Sequence, residues 1–398
     1  MLIHEIILRG ILSFGPQTEP LKLDNLNLLV GPNGSGKSNL LEAIGLLRSS
    51  AKNLTAPMRG STGSGVREWI WKGDSNGGHA AVEATIDNPV EERKRTPTVP
   101  LRHRIEFTET SARFELIGET IENSVNDDGH DNPFFFYRYN NGSPFLSTRD
   151  EGEGRNLRRE DVAPDESVLT QYKDPDLYPE LAQLANSYDE IRLYREWSFG
   201  RSSVFRSPQS ADLPGDRLEE DFSNLGLFLN YLRGIPAAKK AIIEHLQDLY
   251  QGLDDFDVRI KGGTVEVVLT EGDFIIPASR LSDGTLRYLC LLAILCDPDP
   301  PKLICIEEPE LGLHPDLLPK IADLLNDASE RTQLIVTTHS DILIDSMTDQ
   351  PTAVVIVEKH DGQTTTQRIE QTEELEEWLK KYRLGELWVR GELGGTRW

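Results

Sequence analysis

Apolar positions along the chain recur in two rhythms. Residues 2–8 and 25–30 form short apolar runs that predict strands, separated by a turn region holding Gly10, Gly15 and Pro16. Over residues 38–50 the period lengthens, with Leu40, Leu41, Ile44 and Leu47 at helical spacing, so one face of a helix should pack on a sheet. Residues 53–78 are Gly- and Ser-rich around VREWIWKG and predict a loop whose Trp69 and Trp71 dock on something apolar. Alternation then returns at 80–86, 102–108 and 112–121, as expected of half-buried antiparallel strands.

The stretch 122–215 is rich in Asn, Asp, Arg and Gly and reads as an inserted polar subdomain with a helix near 176–188. Its aromatic run, FFFYRY at 134–139, fits an apolar strand or a base-stacking surface, and composition favours the strand. Residues 191–197 predict a returning strand. Helical spacing follows at 216–233 and 237–250, with Pro236 marking the break, and a hairpin at 256–261 and 264–270 turns at Gly262-Gly263. The final third alternates an apolar helix (286–295) with apolar strands at 302–307, 332–338 and 353–358, the last turning at Asp361-Gly362. No heptad pattern is sustained between the glycine-rich stretch at 31–38 and the final third, so no long coiled-coil arm is expected. The pattern divides the chain into an amino-terminal lobe (1–121), the insertion (122–215) and a carboxy-terminal lobe (216–398).

Composition narrows the class. At 38% hydrophobic and 27% charged residues the chain reads as soluble and globular. Its longest apolar run, near 288–296, falls short of the ~18 residues a membrane span needs. The opening MLIHEIILRG has no basic n-region or small-residue cleavage site and reads as a strand rather than an export signal. Cys290, Cys296 and Cys305 lie in apolar segments without CxxC spacing, which argues for reduced core thiols in the cytoplasm. A net charge of -24 opposes a free-standing nucleic-acid binder. Local basic patches remain at Arg93-Lys94-Arg95 with Arg102 and Arg104, and at Arg155 with Arg158-Arg159; solvated charged loops are the commoner explanation of each.

The chemistry concentrates in a few segments. Residues 31–38 read GPNGSGKS and fit G-x-x-x-x-G-K-[ST] at every fixed position, after an apolar strand and before a helix. Gly31, Gly34 and Gly36 let the backbone curl so that its N–H groups face a β-phosphate at the helix N-terminus. Lys37 reaches the β- and γ-phosphates, Ser38 holds Mg²⁺, and Asn33, Ser35 and Asn39 complete the nucleotide-binding stretch. Far downstream, KLICIE at 302–307 is an apolar strand ending in Glu307, followed by Glu308 and Pro309. Glu307 is placed to orient Mg²⁺ through water, and Glu308 to polarise a water for attack on the γ-phosphate. Ser282-Asp283-Gly284 opens the apolar helix, as a second anion site or as an ordinary N-cap. His339 follows the next buried strand, a position where histidine is more often structural than catalytic.

Taken in order, these segments resemble the two halves of an ATP-binding-cassette head of the SMC and RecF type, a group that includes OLD-like and other AAA-labelled phage-defence ATPases. The resemblance covers about the first 50 and last 130 residues. It implies an α/β ABC-type P-loop ATPase head: a mixed or parallel core sheet, an antiparallel β subdomain and an inserted helical subdomain. By the resemblance LSDGT (281–285) is the signature motif, with Ser282 and Gly284 touching the γ-phosphate held by an opposite subunit. Glu307 takes the Mg²⁺-side position, where Asp is more usual, and Glu308 the catalytic base. Residues 309–315 match the D-loop and His339 the switch histidine. Gln209, in SPQS, is the candidate Q-loop glutamine.

The function so implied is ATP hydrolysis with Mg²⁺ by a head-to-head homodimer or higher oligomer, with Lys37, Glu308 and His339 as its catalytic residues. OLD-type relatives continue into a TOPRIM nuclease, for which the about 40 residues after the last hairpin are too few. A separately encoded effector, a nuclease among the candidates, is therefore expected, with phage defence as the setting and no membrane partner. The alternatives are a RecF-like repair clamp on duplex DNA and the nucleotide-binding subunit of a transporter.

Overall fold

A computed structural model describes residues 1–59, 65–73, 78–88, 99–126, 132–140, 142–147, 155–157, 162–197, 200 and 203–394. The basic residues Arg93-Lys94-Arg95 and Arg158-Arg159 lie outside them, as does the side chain of Arg155. The fold is mixed α/β and divides into two compact units. One comprises residues 1–191, 355–369 and 394–398; the other, 192–354 and 370–393.

In the first unit β1 (Ile3–Arg9) pairs with the short β2 (Leu21–Lys22), and β3 (Leu26–Val30), buried at all five positions, leads through the glycine loop into α1 (Lys37–Ser50). Leu40, Leu41, Ile44 and Leu47 are all buried on α1, as their spacing predicts. The Trp69 segment docks as its aromatics predict: Trp69 is 5% exposed, and its carbonyl and the Trp71 N–H bond to the backbone of Leu12 and Gly10.

Strands β4 (Ala80–Ile86), β5 (Leu101–Thr110), β6 (Arg113–Asn123), β7 (Phe135–Asn140), β8 (Ser143–Leu146) and β9 (Arg155–Asn156) then extend the β1 sheet antiparallel, in the order β2-β1-β4-β5-β6-β7-β8-β9. The aromatic run is thus strand β7, with Phe136, Tyr137 and Tyr139 buried. Helices α2 (Val168–Gln171) and α3 (Pro179–Asp189) are tied to this sheet by a buried polar cluster. Glu119 accepts from Ser167 Oγ, from the Val168 N–H at the start of α2 and from His103, whose other ring nitrogen meets Tyr188 on α3. A carboxylate buried this deeply is tolerable because several donors satisfy it.

In the second unit β10 (Ile191–Tyr194) ends before Trp197, earlier than the apolar pattern suggests. After the short β11 (Gln209–Ser210), helix α4 (Leu225–Arg233) begins nine residues later than periodicity predicts, at 225 rather than 216. Asn224 is the reason. Its amide donates to the carbonyls of Pro214 and Arg217 and accepts from the Glu219 N–H, fixing residues 214–224 as a turn with Phe222 at φ 59°. Helix α5 (Pro236–Leu249) follows, its Pro at the first position. Strands β12 (Asp255–Lys261), β13 (Thr264–Glu271) and β14 (Phe274–Pro277) form an antiparallel sheet with β11.

The apolar helix α6 (Asp283–Leu295) precedes β15 (Leu303–Glu307); α7 (Leu318–Ser329) precedes β16 (Gln333–Thr338), and α8 (Asp341–Asp345) follows it. Strands β15 and β16 run parallel in register, Glu307 opposite Thr337, with β10 on the far side of β15.

The chain returns to the first unit as the hairpin β17 (Val354–His360) and β18 (Gln363–Arg368), with β17 beside β3, and closes in the second with α9 (Glu373–Leu379) and α10 (Leu384–Arg390). Helix α10 docks on α8: the Gly385 backbone lies too close to the Asp341 carbonyl for any larger residue, and Arg383 Nε bonds Asp345 at 2.6 Å. Among the described residues no helix is long and apolar enough to cross a membrane.

Candidate functional site

The phosphate loop lies in the first unit. Gly34 and Gly36 hold φ of 77° and 112°, left-handed conformations that favour glycine. Their surroundings differ: a Cβ on Gly34 would enter open space, whereas one on Gly36 would run into the hydroxyls of Thr364 and Ser13. Thr364, on β18 and 1% exposed, donates to the Ser35 carbonyl and shares a hydroxyl–hydroxyl hydrogen bond with Ser13 Oγ, each at 2.7 Å. Asn39 reaches the same Ser13 hydroxyl at 2.6 Å. The loop is therefore braced from behind by three polar side chains.

Its open side suits an anion. Helix α1 has no side-chain cap, and Asn33 and Gly34 stand exposed at the crest of the loop. Lys37 is 6% exposed and its ammonium donates to the carbonyls of Gly31 and Pro32 at 2.8 and 3.1 Å, which keeps the cation at the loop. Ser35 Oγ is buried with no hydrogen-bond partner among the described residues, the kind of orphan an anionic ligand or water would satisfy. Ser38 stands half-buried one residue into the helix.

The acid pair lies in the second unit, at the end of β15. Glu308 has φ 47°, unusual for a non-glycine residue, and neighbouring groups hold it there. Its N–H donates to the carbonyl and hydroxyl of Thr337 at 3.1 and 3.2 Å, and its carbonyl accepts from Arg287 at 3.0 Å. Its carboxylate meets His339 Nε2 at 3.1 Å, both side chains one-third exposed. His339 is fixed in turn, because Glu310 Oε1 accepts from its N–H at 2.9 Å and from Thr338 Oγ1 at 2.6 Å. Glu307 accepts from Arg195 Nε at 2.9 Å on its carboxylate and from the Trp197 indole at 2.8 Å on its carbonyl.

The start of α6 is an N-cap in the usual sense. Ser282 Oγ accepts from the Thr285 N–H at 3.0 Å, with Asp283 exposed and Gly284 half-buried in the first turn. Arg206 pairs with the Asp283 carboxylate and holds its pKa below the usual range, and also donates to the Leu281 carbonyl at 2.6 Å. Gln209 is placed elsewhere. Its amide is 7% exposed, donating to the Phe222 carbonyl at 2.9 Å and accepting from the Gly226 N–H at 2.7 Å.

The structure thus assembles Asn33, Gly34, Ser35, Gly36, Lys37, Ser38 and Asn39 in one unit, and Glu307, Glu308 and His339 in the other, where Ser282, Asp283 and Gly284 open α6. Arg195, Trp197, Arg287 and Thr364 escape sequence reasoning. Only Arg287 left a signal, a lone cation in the apolar run 286–295. Among the described residues no group of three or more His, Cys, Asp or Glu is placed to hold a metal ion.

Residues 26–345, most of the chain, match the family model described as "AAA domain, putative AbiEii toxin, Type IV TA system". No curated protein matches the chain. Among solved structures it is similar to an Smc head bound to the C-winged helix domain of ScpA, at 18% identity and TM-score 0.58, covering 94% of this chain and 100% of that one. It is also similar to an Smc head with an extended coiled coil bound to the C-terminal domain of ScpA from Pyrococcus furiosus (15%, TM-score 0.55, 96% and 98% covered). A third is an Smc head with a coiled coil and joint from Pyrococcus yayanosii (14%, TM-score 0.51, 96% and 99%). At these identities the structures establish the fold, an SMC-like head without a long coiled coil among the described residues.

Proposed function

The chain belongs to this AAA domain family and is a P-loop ATPase of the SMC/AAA type, and from that premise we propose that it is an ATP-driven switch whose two copies close head to head around ATP. The phosphate loop of each copy binds ATP, with Lys37 on the β- and γ-phosphates. Ser282 and Gly284 of the second copy meet the γ-phosphate from the other side. Ser38, and Glu307 through water, would hold Mg²⁺, which would supply charge neutralisation at the phosphate oxygens. Glu308 accepts the proton of the attacking water, His339 orients its carboxylate, and release of phosphate separates the heads.

The observation that carries this reading is the Glu308–His339 pair at 3.1 Å, on a Glu308 backbone held left-handed by Thr337 and Arg287. A carboxylate fixed at that cost beside a histidine is arranged for chemistry rather than for solvation.

The switch acts on a separately encoded effector in a defence setting. Supporting this are the family's toxin–antitoxin description and the two matched heads solved with domains of ScpA. Arg102 and Arg104, the described basic candidates for DNA, are paired with Glu122 and Glu106, so no observation favours the DNA clamp. Cys290, Cys296 and Cys305 form no disulfide, which supports a reducing compartment, the cytoplasm. The test is Glu308→Gln: it should bind ATP and accumulate as an ATP-dependent dimer in light scattering. A monomer that hydrolyses at the wild-type rate would sink the proposal.

A further inference from the structure

The carbonyl oxygens of both acids at the end of β15 accept hydrogen bonds from two side chains that stack on one another. Trp197 donates to Glu307 at 2.8 Å and Arg287 donates to Glu308 at 3.0 Å. The Arg287 guanidinium carbon lies 4.5 Å from the centre of the Trp197 ring. The ring packs in turn on Phe222, which also contacts Tyr194 and Phe205.

Arg287 is an expensive residue for its place. It is 3% exposed, and burial brings its pKa down to about 10 while Glu310 and Glu308 pull the other way. A leucine or methionine would fill the same volume without the desolvation cost. What the guanidinium supplies instead is a fixed donor to the Glu308 carbonyl, while the Glu308 N–H donates separately to Thr337. It does so from α6, four residues beyond Asp283, so the opening turn of that helix and the donor to the Glu308 carbonyl share one rigid element. The acid loop also crowds the helix start: a Cβ on Gly284 would sit 3.3 Å from the Gly312 carbonyl oxygen.

We infer that Arg287 is the positioning residue that couples the seating of the α6 start to the orientation of Glu308. This rests on the reading that Ser282 and Gly284 engage the nucleotide of a second copy. When that engagement shifts α6, Arg287 carries the Glu308 carbonyl with it, while Thr337 on β16 and His339 just after it hold the N–H and the carboxylate. The left-handed Glu308 backbone is the point that turns.

The experiment compares the full-length wild type with Arg287→Met, Arg287→Lys and Trp197→Phe. Affinity is read with a fluorescent ATP analogue, dimerisation by light scattering with ATP, and turnover by phosphate release. Arg287→Met should bind nucleotide within about twofold of wild type, still dimerise, and lose about 100-fold in kcat, the scale of a misplaced catalytic group. Arg287→Lys, which keeps a donor but not the planar stack, should recover part of that loss. Trp197→Phe should lose about tenfold, because it keeps the ring under Arg287 and drops only the bond to Glu307.

Wild-type kcat in Arg287→Met overturns the inference, and so does a joint fall of affinity, dimerisation and kcat, which a merely structural arginine would give. If Arg287→Met does not fold, Arg287→Lys decides by the same comparison. A wild type that does not dimerise with ATP overturns the underlying reading and this inference with it. A dimerising wild type whose turnover Arg287→Met matches overturns the inference alone.

Discussion

The phosphate loop and the acid-ended strand β15 are held in shape by different means. In the loop the backbone does the work: two glycines at positive φ, a helix start without a side-chain cap, and a lysine bonded to the loop's own carbonyls. At the end of β15 side chains do it. Arg195, Trp197, Arg287, Thr337 and His339, drawn from three other segments, hold two glutamates. A loop shaped by backbone conformation fails abruptly when a side chain is added where none fits. A network of side chains loses function piece by piece. The first should therefore govern whether nucleotide binds, and the second how fast it turns over.

The largest effect expected is on turnover alone. Glu308→Gln should lower kcat by about 1000-fold, as loss of a general base does, with ATP affinity unchanged by calorimetry. Equal losses in binding and turnover would erase the division between the two regions.

Next comes the loop. Gly36→Ala should weaken ATP binding about 100-fold, because its Cβ meets Thr364 and Ser13 in addition to the unfavourable φ. Gly34→Ala, with the same sign of φ but open space around it, should lose only what the backbone costs, about 1–2 kcal/mol or roughly tenfold. Equal penalties would mean that the bracing from β18 is irrelevant.

Thr364→Val tests the bracing directly. Removing the donor to the Ser35 carbonyl should weaken ATP about fivefold, the scale of one hydrogen bond, and leave kcat at saturation intact.

The smallest effect concerns Asp283. Arg206 depresses its folded pKa, so the pair's stabilisation is present above the ordinary carboxylate range and is lost as pH falls through the folded value. The difference in Tm between wild type and Asp283→Asn should be small at pH 7 and should shrink as pH falls below the ordinary carboxylate range. A difference that grows on acidification would contradict the ion pair.

Much of the fold could be read from spacing. The strands at 26–30, 80–86, 303–307 and 333–338, the helix at 37–50 and the hairpin turning at Gly262-Gly263 all stand where the apolar rhythm puts them. The rhythm misled at 216–224, where Asn224 captures backbone groups that a helix would need. It was also silent on Gln209, whose amide joins β11 to the backbone of Phe222 and Gly226.

The sequence by itself determined the phosphate loop, because such a cradle is built from contiguous backbone and its glycines and lysine must stand at fixed spacing. It also determined the acid pair, because an apolar strand ending in carboxylates is a local pattern. Only the tertiary structure decided what holds them. Arg195 meets Glu307 across 112 positions of chain, and Thr364 meets Ser13 across 351. Contacts of that kind leave no periodic trace, since each partner need only have the right donor at the right end of an element that the fold brings into place.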